Sequence, residues 1–268
     1  MNLTVLVDNN TFIDQYYLGE PAVSYYIEDK TTKILFDTGY SDVFIKNAES
    51  MNIDLNSIDR LVISHGHNDH TGGLKYFYNY VKSHHIDMIA HSDCFFGKYI
   101  ENNYIGTPFS EEKLKNKFNL FFHNTPTFIS ENIIFLGEIP DFYNFEKRKS
   151  IGICKIDNKL RDDFVFDDSA LVYKSDMGLF IITGCSHSGI CNIMEYAKKV
   201  CGDDRIYGVI GGFHLFDIDY RLNKTIEYFE SNHIKLVYPG HCISLNAKVE
   251  IGKRIPIFEV GVGLHISI

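Results

Sequence analysis

Short apolar runs bounded by turn residues recur along the chain, and helical patterns separate many of them. Leu3-Thr4-Val5-Leu6-Val7 reads as a strand that ends in the turn residues Asp8-Asn9-Asn10. Pro21 to Glu28 and Thr32 to Phe36 read as a hairpin with Asp29-Lys30 at its tip. A helix is expected from Val43 to Met51, and then a buried strand over Arg60-Leu61-Val62-Ile63-Ser64. A further helix should run from Leu74 to about Ser83, with His84 and His85 at its end, where positive charge suits the helix dipole. Asp87 to His91 is another short strand, with His91 as a cap or surface residue.

The second half repeats the theme. Ser169 to Lys174 and Gly178 to Thr183 form a hairpin, a helix spans Ile190 to Val200, and Ile206 to Ile210 is a strand. A helix from Leu222 to Ser231 then leads into a strand over Ile234 to Tyr238. Strands alternating with helices predict an α/β fold. Between the halves the pattern weakens. Ser110 to Lys117 is a short charged helix or loop, and Phe118 to His123 and Thr127 to Leu136 look like strands. Asp141 to Asp168 has little periodicity, which suggests a substrate-binding loop. Its Arg148 or Lys149 would hold a phosphate or carboxylate, and Phe142, Tyr143 and Phe145 would offer stacking faces.

The bulk numbers narrow the function classes. At 268 residues, with 45% hydrophobic and 23% charged positions, the chain can build a sizeable globular core. A net charge of -9 argues against non-specific nucleic-acid binding. The six cysteines include no Cys-x-x-Cys pair, and no cationic-then-apolar segment opens the chain, so a disulfide framework is not expected and a reducing cytoplasm is. No apolar run approaches the ~18 residues that span a bilayer.

The candidate chemistry sits in Ser64-His65-Gly66-His67-Asn68-Asp69-His70-Thr71-Gly72-Gly73. This loop follows a strand and precedes a helix, at the carboxyl end of a sheet where α/β proteins place ligands. Imidazole and carboxylate suit zinc, and also iron or manganese. His65 and His67 alternate along an extended segment and can face one ion, while Asp69 and His70 follow the turn and can face a second. In the second half three apolar strands each end in a glycine-flanked histidine: His187, His214 and His241. Glycine permits close backbone approach, and the three are expected to converge on the same loop.

These motifs, with Phe36-Asp37-Thr38-Gly39, Gly184-Cys185-Ser186-His187, Gly212-Phe213-His214 and Pro239-Gly240-His241-Cys242, resemble the metallo-β-lactamase-fold superfamily. Within it they resemble the branch named for 7,8-dihydropterin-6-methyl-4-(β-D-ribofuranosyl)-aminobenzene-5'-phosphate synthase. The resemblance implies a four-layer αββα sandwich, two mixed sheets face to face with helices outside. It implies a single domain over 1–268 with an inserted substrate-loop region at about 95–168. It implies one or two metal ions, with His65 and His67 on one and Asp69, His70 and His241 on the other, and Asp37 supporting a ligand from behind. The superfamily's usual bridging aspartate is replaced by Cys185, so either His187 serves the first metal or the second site is weak. Histidine at position 67, where iron-binding members carry glutamate, favours zinc over iron or manganese.

Three functions follow as expectations. The first is hydrolysis of a phosphoester or phosphodiester small molecule by a metal-activated water, with Asp69 orienting the water and His214 as general acid or phosphate anchor. The second is the branch's pterin-linked condensation. The third is iron redox chemistry or metal sensing.

Overall fold

The computed structural model describes residues 1–82 and 86–268; His84 and His85, expected to close a helix, lie outside the described residues. In chain order the strands are β1 (Asn2–Val7), β2 (Ser24–Asp29), β3 (Thr32–Phe36), β4 (Arg60–Val62), β5 (Asp87–Ala90), β6 (Gly97–Ile100), β7 (Asn103–Tyr104), β8 (Asn119–Phe122) and β9 (Thr127–Phe128). They continue as β10 (Ile133–Phe135), β11 (Ile153–Ile156), β12 (Lys159–Asp162), β13 (Ala170–Ser175), β14 (Gly178–Thr183), β15 (Ile206–Gly211), β16 (Leu236–Pro239) and β17 (His265–Ser267). The helices are α1 (Val43–Ser50), α2 (Asn68–Thr71), α3 (Leu74–Tyr80), α4 (Glu111–Lys115), α5 (Ile190–Cys201), α6 (Tyr220–Ser231) and α7 (Leu245–Gly252). No helix among the described residues is long and apolar enough to cross a membrane.

The chain forms two compact units. The first comprises residues 1–124, 149–167 and 261–268, and the second 125–148 and 168–260. The first unit holds a seven-stranded mixed sheet in the order β17-β1-β2-β3-β4-β5-β8 and a four-stranded sheet β12-β11-β6-β7. The antiparallel β2–β3 hairpin leads into parallel β3, β4, β5 and β8. Phe44 and Ala48 of α1 and Leu74 and Phe77 of α3 are wholly buried with Leu35, Leu61 and Ile63 in one core. Burying each such large side chain contributes about 1.5–3 kcal/mol.

The second unit holds the six-stranded sheet β16-β15-β14-β13-β10-β9. It repeats the plan: a β13–β14 hairpin, then parallel β15 and β16. The α5 and α6 crossovers bury Ile190, Ile193, Met194 and Ala197, and Leu222, Ile226 and Phe229, at helical spacing against this sheet. The left-handed Gly202 (φ 64°) ends α5. At the other end the buried Glu146 carboxylate accepts the Cys191 and Asn192 N–H groups (3.1 and 2.8 Å), placing an acid at the helix's positive end. Burial nonetheless raises its pKa.

The mixed sheets and their helices match the α/β class read from the sequence. Three local expectations need correction. Thr127 to Leu136 is not one strand: Ser130-Glu131-Asn132 folds it into the β9–β10 hairpin, with Ile129 N–H on Ile133 O at 2.9 Å. The aperiodic stretch 141–168 contains the β11–β12 hairpin, turned by Asp157 and Asn158 at φ 49° and 61°. The aromatic residues expected to greet a substrate are packed instead. Tyr143 stacks on Phe145 (centroids 5.1 Å) and abuts Tyr228 of α6 (5.7 Å), and Phe142 abuts Tyr196 of α5 (6.4 Å). The sequence also gave no warning that β17 pairs antiparallel with β1, Asn2 opposite Ser267.

Candidate metal centre

In the first unit the parallel register of β3 and β4 sets the site. Phe36 lies opposite Val62, and the Asp37 N–H continues the ladder to Val62 O at 2.9 Å. Asp37 then takes a left-handed backbone (φ 59°). Its buried carboxylate receives the Ser64 N–H on Oδ1 (2.7 Å) and the Ser64 hydroxyl on Oδ2 (2.7 Å). His70 Nδ1 lies 2.7 Å from the same Oδ2. Ser64 Oγ is also 3.0 Å from His65 Nδ1. A ligand histidine needs its outer nitrogen anchored so that the inner one faces the ion, and His65 and His70 both have that anchor.

The inner faces converge. His65 Nε2 is 2.9 Å from His67 Nδ1, and the His65 ring centroid is 4.6 Å from that of His67 and 4.1 Å from that of His70. His70 Nε2 lies 3.6 Å from the Asp69 carboxylate. Two nitrogen ligands on one tetrahedral zinc stand about 3.3 Å apart, given Zn–N bonds of about 2.0–2.1 Å, so the His65–His67 spacing fits ligands that share an ion. Asp69 lies in the first turn of α2, and its side chain is the most exposed of the set. Three buried imidazoles and one half-buried carboxylate form a donor set that suits a divalent metal.

A second, deeper network holds the loop and was not foreseen. Gly66 donates its N–H to Asp167 Oδ2 (2.7 Å), and a side chain at 66 would strike the Cys94 carbonyl. Lys98, 2% exposed, bridges Asp167 Oδ1 (2.8 Å) and the Asp163 carboxylate (3.2 Å). His67 Nε2 is 4.0 Å from Asp163. Burial opposes the charge on Lys98, but Asp167 and Asp163 outweigh it and hold its pKa above the usual lysine range. Burial likewise disfavours the Asp167 carboxylate, yet Lys98 keeps its pKa below normal. His67 is pushed down to about 4 by burial and then by the Lys98 charge, so its ring is neutral at pH 7. The sequence signal for this network was slight: a buried lysine and two aspartates in an acidic stretch look like a solvated surface.

The second unit builds its own cluster at the ends of β14, β15 and β16. Gly212 N–H bonds Gly184 O (2.8 Å) and Gly240 N–H bonds Gly211 O (2.9 Å), stitching the three strand-end loops together. Ser186, His214 and His241 all have left-handed backbones (φ 63°, 50° and 46°), a strained conformation for these residues held by the surrounding bonds. The His187 and His214 rings lie 4.4 Å apart, and His214 meets Phe216 edge-on at 4.9 Å. Cys185 Sγ is 3.0 Å from Cys242 Sγ. His241 is buried, and buried Asp168 accepts the N–H and hydroxyl of Ser188 (2.9 and 2.5 Å). Burial lowers the pKa of His214 and the Arg221 charge adds to this, against an opposing effect of Cys242. Sequence reasoning quoted Cys242 without giving it a role and passed over Asp168 and Arg221.

The remaining candidates lie elsewhere in use. His91 is buried and its Nδ1 accepts the Asp93 N–H (3.1 Å), the capping role expected of it. Arg148 is bound to its own loop, Nη1 to Asp141 Oδ1 and Nη2 to Ile139 O, each at 2.7 Å. Lys149 is exposed.

Comparison with known proteins fits this picture. The metallo-beta-lactamase superfamily model matches residues 18–128. The chain is 35% identical over 255 residues, 94% of each chain, to the uncharacterized protein MJ0448 of Methanocaldococcus jannaschii. It is 34% identical over 249 residues, 87% of this chain and 84% of the other, to a protein of that organism named 7,8-dihydropterin-6-methyl-4-(beta-D-ribofuranosyl)-aminobenzene-5'-phosphate synthase. Among solved structures, Tm1679, described as a metal-dependent hydrolase of the beta-lactamase superfamily, aligns over 100% of this chain and 99% of its own, with 30% identity and a TM-score of 0.85.

Proposed function

The chain belongs to the metallo-β-lactamase superfamily, and from that premise we propose that it is a metal-dependent hydrolase, zinc-bound when active, of a phosphorylated small molecule. The observation that carries this reading is the buried His65–His67–His70 cluster, with its outer nitrogens held by Ser64 and Asp37 and with Asp69 alongside. The name of the 34% identical relative contains a 5'-phosphate, which supports a phosphoryl substrate class. By the superfamily's pattern, His241 would join Asp69 and His70 as a ligand; Cys185 stands where a bridging aspartate is usual, so either His187 serves the first metal or the second site is weak.

When bound, the ion supplies Lewis acidity toward a phosphoryl oxygen and lowers the pKa of water to ~7. The chain's residues do the rest. Asp37 and Ser64 fix the tautomers and angles of His70 and His65. Asp69 orients the attacking water by accepting its hydrogen bond. His214 holds a phosphoryl oxygen or hands a proton to the leaving group. The test is hydrolysis of bis(p-nitrophenyl) phosphate and a panel of phosphomonoesters by zinc-loaded protein. Turnover should vanish with chelator and be lost with His67→Ala, which removes a metal ligand, while His214→Ala should lower kcat by about 100-fold or more, as for loss of a positioned acid or base. Inertness of fully metallated protein across the panel would sink the hydrolase reading.

The named relative supports a second reading, a pterin-linked condensation; a metal held by the same residues would supply Lewis acidity toward a diphosphate leaving from the dihydropterin partner. Quenching of pterin fluorescence by the protein, with product formed from a dihydropterin and a ribofuranosyl aminobenzene phosphate, would favour it. Two irons and visible colour in freshly purified protein would instead support redox chemistry.

A further inference from the structure

Within the first unit a groove of about 400 Å³ opens beside the metal loop. Three tyrosines from three different segments line it: Tyr40 after β3, Tyr76 in α3 and Tyr104 in β7. They are 54%, 44% and 46% exposed, although this chain buries most of its large apolar side chains. A lone exposed aromatic means little, but three around one concavity of ligand size mark a binding surface. Asn68, between His67 and Asp69 in the chain, lines it too.

The groove is built rather than incidental. Glu20 pins the Tyr40 segment, with Oε1 accepting the Tyr40 and Ser41 N–H groups (2.9 and 3.1 Å) and Oε2 the Ser41 hydroxyl (2.6 Å). Gly72 lets the Tyr40 carbonyl press against α2, since a Cβ there would collide with it. Tyr104 is fixed by its hydroxyl bond to Thr107 O (2.7 Å) and by edge contact with Tyr99 (5.2 Å). The Asn68 N–H bonds Ile105 O (2.8 Å), which ties the metal loop to the opposite wall.

Two of its polar side chains are uncommitted. Among the described residues, Lys75 makes no ion pair and the Asn68 side-chain amide makes no hydrogen bond. In a protein of net charge -9, a lysine without an ion pair among the described residues in a groove lined by three tyrosines is a specific combination. The aromatic faces suit a flat ring, the amide suits a ring nitrogen or carbonyl, and the ammonium suits a carboxylate or phosphate.

We propose that this groove is a substrate subsite that takes a flat aromatic ring carrying an anionic group, and holds it next to the reacting centre. The role in a reaction rests on the metal reading of the adjoining loop; binding itself needs no metal.

The experiment titrates the full-length protein with 1-naphthoate by calorimetry, with and without chelator, against cyclohexanecarboxylate (anionic, not aromatic) and 1-naphthalenemethanol (aromatic, uncharged). The expected result is naphthoate affinity at least tenfold above both controls and unchanged by chelator. Lys75→Gln should weaken naphthoate about tenfold while leaving naphthalenemethanol alone, and Tyr76→Leu should weaken both aromatic probes. Both positions are exposed, and an unchanged thermal midpoint verifies folding. Absence of naphthoate binding, equal affinity for the saturated acid, or indifference to both substitutions would overturn the proposal. A protein that hydrolyses esters yet fails this titration refutes the subsite alone; one that binds naphthoate yet is inert when metallated refutes the hydrolase reading alone.

Discussion

Asp37 Oδ2 stands 2.7 Å from His70 Nδ1, with both side chains wholly buried. The same carboxylate also holds both polar groups of Ser64, whose hydroxyl reaches His65. One residue at the end of β3 thus sets the orientation of two candidate ligands on the loop after β4. Asp37→Asn keeps the shape but replaces one acceptor oxygen with a donor, which turns His70 Nδ1 into an acceptor and disturbs its inner nitrogen. The expected outcome is zinc affinity lower by about 10–100-fold, the usual cost of losing such a partner. Competition with a chromophoric chelator measures it, and unchanged affinity would show that His70 needs no such anchor.

Lys98, Asp163 and Asp167 give a stability prediction. Removing one member of a buried charged group leaves the others unpaired, at a cost of about 3–5 kcal/mol. Lys98→Met should therefore lower the urea midpoint at pH 7 strongly, and the triple neutral variant Lys98→Met/Asp163→Asn/Asp167→Asn should recover part of the loss. Asp167 has a depressed pKa when folded, so its pairing stabilises the fold above the unfolded carboxylate value of about 3.9 and is lost as pH falls through the lower folded value. The gap between wild type and Lys98→Met should then be wide at pH 7 and shrink in acid. A gap independent of pH would mean that the loss comes from packing alone.

The contrast between Asp37 and Lys98 shows what the sequence could disclose. Asp37 lies at the tip of an apolar strand beside Thr38 and Gly39, and its supporting place was legible through the family resemblance that Phe36-Asp37-Thr38-Gly39 carries. Lys98 comes from β6, an inner strand of the small four-stranded sheet whose burial depends on pairing with β11, and Cys154 lies opposite it. That pairing joins segments more than fifty residues apart, and no local pattern announces it. The β11–β12 turn did carry a signal in Asp157-Asn158, residues that tolerate the left-handed backbone. It was hidden because the exposed strand β12 alternates no apolar face. The β17–β1 pairing was illegible for the same reason of sequence distance. The strand-end histidines were legible because each follows an apolar run with glycine within three residues.

His67 predicts how metal-free protein responds to acid. Its pKa is about 4 in the fold against about 6.5 unfolded, so the unfolded chain binds the extra proton first. At pH 7 both forms are neutral and nothing is lost. As pH falls from about 6.5 towards 4 the fold loses stability, by up to about 3 kcal/mol from this residue. The denaturant midpoint of chelator-treated protein should be lower at pH 4.5 than at pH 7, and His67→Gln should flatten that part of the slope. An identical slope in the variant would assign the acid sensitivity to other groups.

Cys185 and Cys242 predict a chemical response in the second unit. Their sulfurs are 3.0 Å apart, closer than a van der Waals contact, on the loops after β14 and β16, each of which is tied to the end of β15 by the Gly212 and Gly240 bonds. Disulfide closure needs little backbone travel from such a start. Diamide should therefore oxidise this pair first, with two thiols losing two protons and two electrons to the reagent as one S–S bond forms. Alkylation of unfolded protein afterwards should block two fewer thiols than in the untreated sample, and peptide mapping should recover the 185–242 link. Cys185→Ser should abolish the link at the same diamide dose. If zinc is held beside these sulfurs, loading the protein first should slow oxidation, because a thiolate engaged by metal is a poorer nucleophile than a free one. Equal oxidation rates with and without zinc would place the pair outside the metal's reach and leave Cys185 as a packing residue.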